Sequence, residues 1–390
     1  MELEQICLEC GRKFTISEKE QAFYQGKNYV LPKRCSCCRK KRRKEKLKLL
    51  KKSDDAPQKE SVPIDSILAD LPYGHCDMDN LVLTKPVHTL FVIGNGFDIA
   101  HGVKSSYWDF QKTLGKNSDL RFFVEVYLRN ENLWYQFEES LSCLDVGMML
   151  ESIDGNLRDF GVYDDDDSMA AFHGAIDTAM LPIEILCRDL PRRFSKWVDG
   201  LTSDGSRPMK DLLLQDALYL NFNYTDFLET LYGISSGNIC YLHGKRRRKK
   251  GKPSKLILGH KPNVDYLSGR TLNHYFVPKY KDPWKRQMLQ YALETAKNQW
   301  VSFYSETFTK HTTEILQDHK SFFEKIQEVN TIVVLGHSLG QVDDPYFQEL
   351  NTRTSRKAAW KISYHTGEDL KRIDALVKRL HLINVTIFKC

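Results

Sequence analysis

From residue 88 to the C-terminus, short apolar runs alternate with longer stretches of mixed polarity. TLFVIG (89–94), ALYLNF (217–222), NICYLH (238–243), KLILG (255–259), TIVVLG (331–336), AWKISYH (359–365) and NVTIF (384–388) are almost continuously apolar. A strand that alternates apolar with polar residues keeps one wet face. One that is apolar throughout is covered on both faces, as in a parallel sheet flanked by helices. The pattern therefore predicts an α/β fold with a Rossmann-like parallel sheet, these seven runs being its strands. Between the first two runs, residues 105–200 read as a large, mainly helical insertion.

In such a sheet, ligands sit beyond the carboxyl ends of the strands, so the residues just past each run are the first candidates. Gly94-Asn95-Gly96-Phe97-Asp98 follows the first run. Its glycines allow a close backbone approach to a pyrophosphate, and the helix that follows offers unpaired N–H groups. Asp98 suits an N-cap, a first-turn acid or a ribose contact. Asn223-Tyr224-Thr225-Asp226 follows the second run, His243-Gly244 the third and Gly336-His337-Ser338 the fifth. Four strands ending in hydrogen-bonding residues converge on one edge. Ser338 also lies in VLGHSLG, the G-x-S-x-G pattern of serine esterases. An esterase nucleophile needs later strands that deliver an acid and then a histidine, yet only 52 residues follow Ser338, and the earlier chain lacks closely spaced strands. The serine reads instead as a hydroxyl and backbone donor to an adenosine ribose or phosphate.

The first 60 residues differ in character. They carry 17 Lys+Arg against 9 Asp+Glu, a net +8, so with +6 overall the remainder is about −2 and the basicity belongs to this piece. Cys7-Leu-Glu-Cys10 and Cys35-Ser-Cys-Cys38 are two C-x2-C knuckles, each able to give two thiolates to one tetrahedral zinc; Cys37 falls outside the spacing. With so small a core, the metal would supply most of the folding free energy. Arg39 to Lys52 reads either as an electrostatic arm for phosphate backbones or as a solvated helix. Residues 53–86 hold four prolines and read as a linker. The expected organisation is thus a zinc ribbon (1–40), a basic helix and linker (41–86) and the α/β domain (87–390). The basic run Lys245 to Lys252 fits a solvated hairpin or a steering patch for anions, and Asp164 to Asp167 a solvated loop. The other cysteines are scattered singly, which suits a reducing cytoplasm. No apolar run is long enough to span a bilayer, and no membrane partner is expected.

Two resemblances add to this reading. CLECGRKFTISEKEQAFYQGKNYVLPKRCSCCRKKRR resembles a family of short zinc-ribbon domains, which implies a structural Zn²⁺ on Cys7, Cys10, Cys35 and Cys38. The series GNGFDIAHGVKSSYWDF, WYQFE (134–138), FNYTDFLETLY, YLHG, LILGHKP and GHSLGQVDDPYF resembles the abortive-infection AbiH family across residues 88–365. More distantly, it is similar to sirtuins and sirtuin-like NAD-cleaving domains, whose asparagine motif and H-G stand about as far apart as Asn223 and His243 do here. That likeness implies NAD as substrate. Asn223 would place the attacking oxygen, with His243 as base. The nucleotide would lie along Gly94, Asn95, Gly96, Asp98, Asp226, Gly336, Ser338 and Asp343, the last being the acid of the family's G-H-S-L-G-x-x-D motif. Glu138, His101 and His260 stay outside the expected set. The expected function is an anti-phage effector that hydrolyses NAD to nicotinamide and ADP-ribose once a phage-derived trigger releases it. The alternatives are a nucleic-acid-binding sensor or nuclease working through the ribbon and basic runs, and a nucleotide-binding module without turnover. A nuclease would normally show clustered carboxylates for Mg²⁺, and none stands out near the strand ends.

Overall fold

Apolar runs that leave no wet face need helices on both sides, and the sheet has them. The computed structural model describes residues 3–7, 10–16, 18, 21, 35, 38, 64–81, 83, 86–163, 169–247, 255–262, 264, 266 and 280–390. In chain order the strands are β1 (Leu3–Ile6), β2 (Lys13–Ile16), β3 (Gly74–Asp77), β4 (Thr89–Ile93), β5 (Leu218–Asn221), β6 (Ile239–Tyr241), β7 (Thr331–Leu335), β8 (Ala359–Tyr364) and β9 (Val385–Lys389). β1 and β2 form an antiparallel hairpin, while the other seven form one parallel sheet in the order β3-β9-β8-β7-β4-β5-β6. Without the edge strand β3, this is the strand order of a Rossmann sheet.

Every residue of β4 and β7 is buried. Leu90, Val92, Ile332 and Val334 pack into one core with Phe323, Phe347 and Ile373. Their neighbours Phe91, Ile93, Val333 and Leu335 pack into the opposite core with Met209 and Phe227. Alternation thus survives as a choice between two dry layers.

Two expectations of the sequence need correction. KLILG forms no strand. Its apolar residues serve a different contact, in which Ile257 N donates to His243 O at 2.9 Å and His260 makes an isolated parallel bridge with Thr309. A Cβ on Gly259 would stand 2.2 Å from Phe308 O, so only glycine allows the two segments to lie this close. Nor are residues 64–86 simply a linker. Ile64–Ala69 is a helix, and Gly74–Asp77 becomes the sheet's edge, paired with β9. Its sequence, GHCD, is polar because an edge strand faces water. The basic helix from Arg39, the linker up to residue 63, Cys37, Asp164 to Asp167 and residues 248–252 of the basic run lie outside the described residues.

The helical insertion is present as expected, and a second segment joins it. Asp119–Tyr127, Val146–Asp159 and Met169–Asp199 pack with Pro283–Ala296 and Ser302–Phe308 around Val124, Met149, Leu186 and Tyr304. Ser118, Asp145 and Asp282 accept backbone N–H bonds at 2.9–3.0 Å and so fix where three of these helices begin. Among the described residues, Met169–Asp199 is the one helix long and apolar enough to cross a membrane, and its apolar window is mostly buried, as in a core helix. This helical layer roofs the carboxyl ends of the strands.

Candidate active site

After β4 the chain builds β5 and β6 on one side, then crosses to build β7, β8 and β9 on the other. The strand order reverses between β4 and β7, the position where open α/β sheets leave a crevice. A cavity of about 600 Å³ lies there, between the strand ends and the helical layer.

The loops after β4 and β7 form its floor and are joined backbone to backbone. Gly94 N donates to Leu335 O at 2.9 Å and Gly96 N to Gly336 O at 2.7 Å. A Cβ on Gly94 would stand 2.4 Å from His337 Cα, and one on Gly96 2.7 Å from Gly336 Cα. Gly336 itself has φ 61°, a conformation that favours glycine. Loop-to-loop packing therefore accounts for these glycines before any ligand is considered. Asn95 is exposed and donates to Ser105 O at 3.0 Å.

Asp98 is buried beneath this floor. It accepts from Thr225 Oγ1 at 2.7 Å and from Asn223 Nδ2 at 3.0 Å, and burial outweighs these bonds to push its carboxyl up to about 7. Asn223 Nδ2 also donates to Gly94 O at 3.0 Å, so both amide protons are turned into the protein and only its carboxamide oxygen is left for a ligand. Asp226 is absent from the cavity wall. It is bound by the Arg246 guanidinium, with Nε at 2.8 Å. The start of the basic run is thus a structural element, in which Arg246 is buried and Lys245 pairs with Glu229 at 2.6 Å.

His243 stands in the inner wall, 3% exposed, against the rings of Phe222 and Tyr346. Among the described residues its Nε2 has no hydrogen-bond partner, and it lies 4.0 Å from Asp343 Oδ1. Burial, together with the positive charge of Lys310, holds the imidazole well below its ordinary range and therefore neutral. His337, whose Nδ1 accepts from Leu339 N at 2.9 Å, is pushed down to about 3, chiefly by burial. Ser105 Oγ is a second buried cavity-wall atom without a partner among the described residues.

Behind the wall lies Lys310, fully buried. Its Nζ is 2.7 Å from Glu138 Oε2 and 3.3 Å from Asp343 Oδ1. Burial opposes its charge, but Asp343 and Glu138 outweigh burial and raise it above the usual lysine value. Glu138 Oε1 accepts from the Tyr107 hydroxyl at 3.1 Å and lies 3.2 Å from that of Tyr224, whose one proton has a shorter acceptor in Ile257 O at 2.8 Å. Asp343 is expected here from the sequence, whereas Lys310 carries no sequence signal and Glu138 lies outside the expected set. Lys310 reaches its place because Lys310 N donates to His260 O at 2.8 Å, pinning the segment after Phe308 to the LILGHKP stretch.

Ser338 is exposed on the cavity wall. Among the described residues, its hydroxyl has no histidine partner, and the left-handed backbone is at Leu339, φ 53°, rather than at the serine. An esterase elbow strains the nucleophile itself. The Ser338 carbonyl instead accepts from Arg372 at 3.1 Å.

At the other end of the chain, the sulfurs of Cys7, Cys10, Cys35 and Cys38 lie within 4.8 Å of one another, with Cys10 and Cys35 3.8 Å apart. Thiolates at tetrahedral corners about 2.3 Å from a zinc ion stand about 3.8 Å from each other, so the donor set fits that metal. Gly11, φ 67°, closes the first knuckle by donating to Cys7 O at 2.9 Å. Purified protein is expected to contain about one zinc per chain, lost in Cys7→Ser together with protease resistance of the first 40 residues. Metal analysis and limited proteolysis check this, and a metal-free preparation with an intact, resistant N-terminus would refute it.

Comparison with known families now adds two findings. The family described as Bacteriophage abortive infection AbiH matches residues 90–364, which hold every strand-end loop of the cavity up to β8. The family described as Probable treble clef domain matches residues 3–46. That description agrees with a cysteine-bearing hairpin followed by Cys38 in helical backbone. No curated protein and no solved structure gives a match.

Proposed function

The chain belongs to the bacteriophage abortive infection AbiH family, and from that premise we propose that it is an anti-phage effector whose cavity hydrolyses NAD to nicotinamide and ADP-ribose. The observation that carries the reading is His243: a neutral, buried imidazole whose Nε2 has no hydrogen-bond partner among the described residues, on the wall of a cavity at the switch point of a Rossmann-ordered sheet. A neutral imidazole at that place can accept a proton from water. The bond between the nicotinamide nitrogen and C1′ breaks with its electron pair going to the ring, which leaves as neutral nicotinamide. The water oxygen bonds to C1′, and its proton passes to His243. Asn223 acts by position, holding Asp98 and the Gly94 carbonyl in place below the reacting centre. His243 is already deprotonated at pH 6.5, so the acidic limb of the activity profile falls well below that value.

The proposal places the protein in the cytoplasm, with a structural zinc in its N-terminal domain and a phage-derived trigger. Any contact with nucleic acid through the arm from Arg39 involves residues outside the described set. The test is to incubate full-length protein with NAD and, separately, with DNA and RNA, each with and without phage lysate. Nicotinamide and ADP-ribose in equal amounts are the expected products. Cut nucleic acid beside intact NAD would move the reading to a nuclease.

A further inference from the structure

Among the described residues, the inner wall of the cavity is short of positive charge. Within that set, Glu138 and Asp343 share the ammonium of Lys310, and His243 and His337 beside them are neutral. The lysine is fully buried and stands behind the wall, whereas both carboxylates line it. Other acids on the wall are accounted for separately. Glu139 feels the charge of Arg372, Asp369 is held in the capping box with Thr366, and Asp98 is bonded to Thr225 and Asn223. A lone structural ion pair would need one carboxylate for one lysine. Burying a second carboxylate against the same cation is unfavourable unless something positive arrives to meet it. The rest of this wall is aromatic: Tyr107, Trp134, Phe194 and Tyr224 line it. Ring faces attract cations, and the attraction grows where water is excluded.

We infer that this inner wall recognises a planar organic cation and that Glu138 is the specificity-determining residue. Its carboxylate is fixed for that task by the Tyr107 hydroxyl and the lysine, so it meets a ligand without rearranging. The inference deepens the proposed function and rests on it for the cation's identity, the pyridinium end of oxidised NAD. Arg372, 5.4 Å from the ring centre of the exposed Tyr135, then supplies a positive group for the phosphates nearer the mouth. The reduced dinucleotide, with a neutral dihydropyridine, lacks the charge that this wall selects.

Titration of the full-length protein with 1-methylnicotinamide, a cation, and with nicotinamide, its neutral counterpart, tests this without catalysis. The cation should bind about tenfold more tightly or better, and Glu138→Gln should reduce the ratio to about twofold or less. Thermal unfolding of the variant confirms that it is folded, and Asp343→Asn provides a second removal of charge should Glu138→Gln fail to fold. Equal affinities in the unaltered protein, a preference that survives both substitutions, or no binding of either compound at millimolar concentration would overturn the inference. Failure to hydrolyse NAD while the cation preference persists removes the enzymatic reading and leaves this one standing. Hydrolysis without any charge preference does the reverse.

Discussion

Lys310→Met lowers the free energy of unfolding by about 3–5 kcal/mol in the expected result, the range found when one partner of a buried ion pair is removed. The methionine fills most of the lysine's volume, so the loss is electrostatic. Glu138 and Asp343 keep their negative charges in a site that Lys310 no longer neutralises, 2.7 and 3.3 Å from where its ammonium stood. Urea unfolding of both proteins at pH 7 measures it, and a loss under about 1 kcal/mol would mean that the triad is not buried as described.

A second large effect is expected at His243. His243→Leu should reduce NAD cleavage about a hundredfold or more, the scale of losing a general base. Stability should stay level or rise by about 1 kcal/mol, because the side chain gives up an unpaired buried nitrogen and keeps its apolar contacts. Few substitutions in a core improve it while removing activity. That combination marks a residue kept for chemistry. Asn223→Ala, by contrast, should lower both activity and stability, since its Nδ2 holds Gly94 O and Asp98. Nicotinamide release and thermal unfolding on the same preparations separate the cases. A structural His243 would lose stability along with activity, and normal turnover in a stable His243→Leu protein would end its assignment as base.

Much of the sheet was legible in the sequence because covering both faces of a strand leaves a continuous apolar run, as in Thr331–Leu335. KLILG has the same composition for a different reason, its close contact with residues 308–310, and nothing in an apolar run tells ladder from contact. β3 went unread because an exposed edge needs no apolar residues. In the site, loops at strand ends were legible by the general rule for open sheets. The ionic wall was not, since Lys310, in the connection after Phe308, and Glu138, in a short helix, lie 172 positions apart in the chain. Asp226 shows the opposite error. It follows a strand like a ligand-binding acid, yet Arg246, from a run that reads as solvated, satisfies it inside the protein.

The fused glycine loops after β4 and β7 decide how traffic reaches this cavity. Each closes on the other through backbone hydrogen bonds with no room for a methyl group, so the sill beneath the cavity cannot part without breaking the centre of the sheet. Admission is left to the opposite side, past the exposed rings of Trp108 and Tyr135. The molecule has a fixed threshold, and any widening of the cavity falls to its helical side.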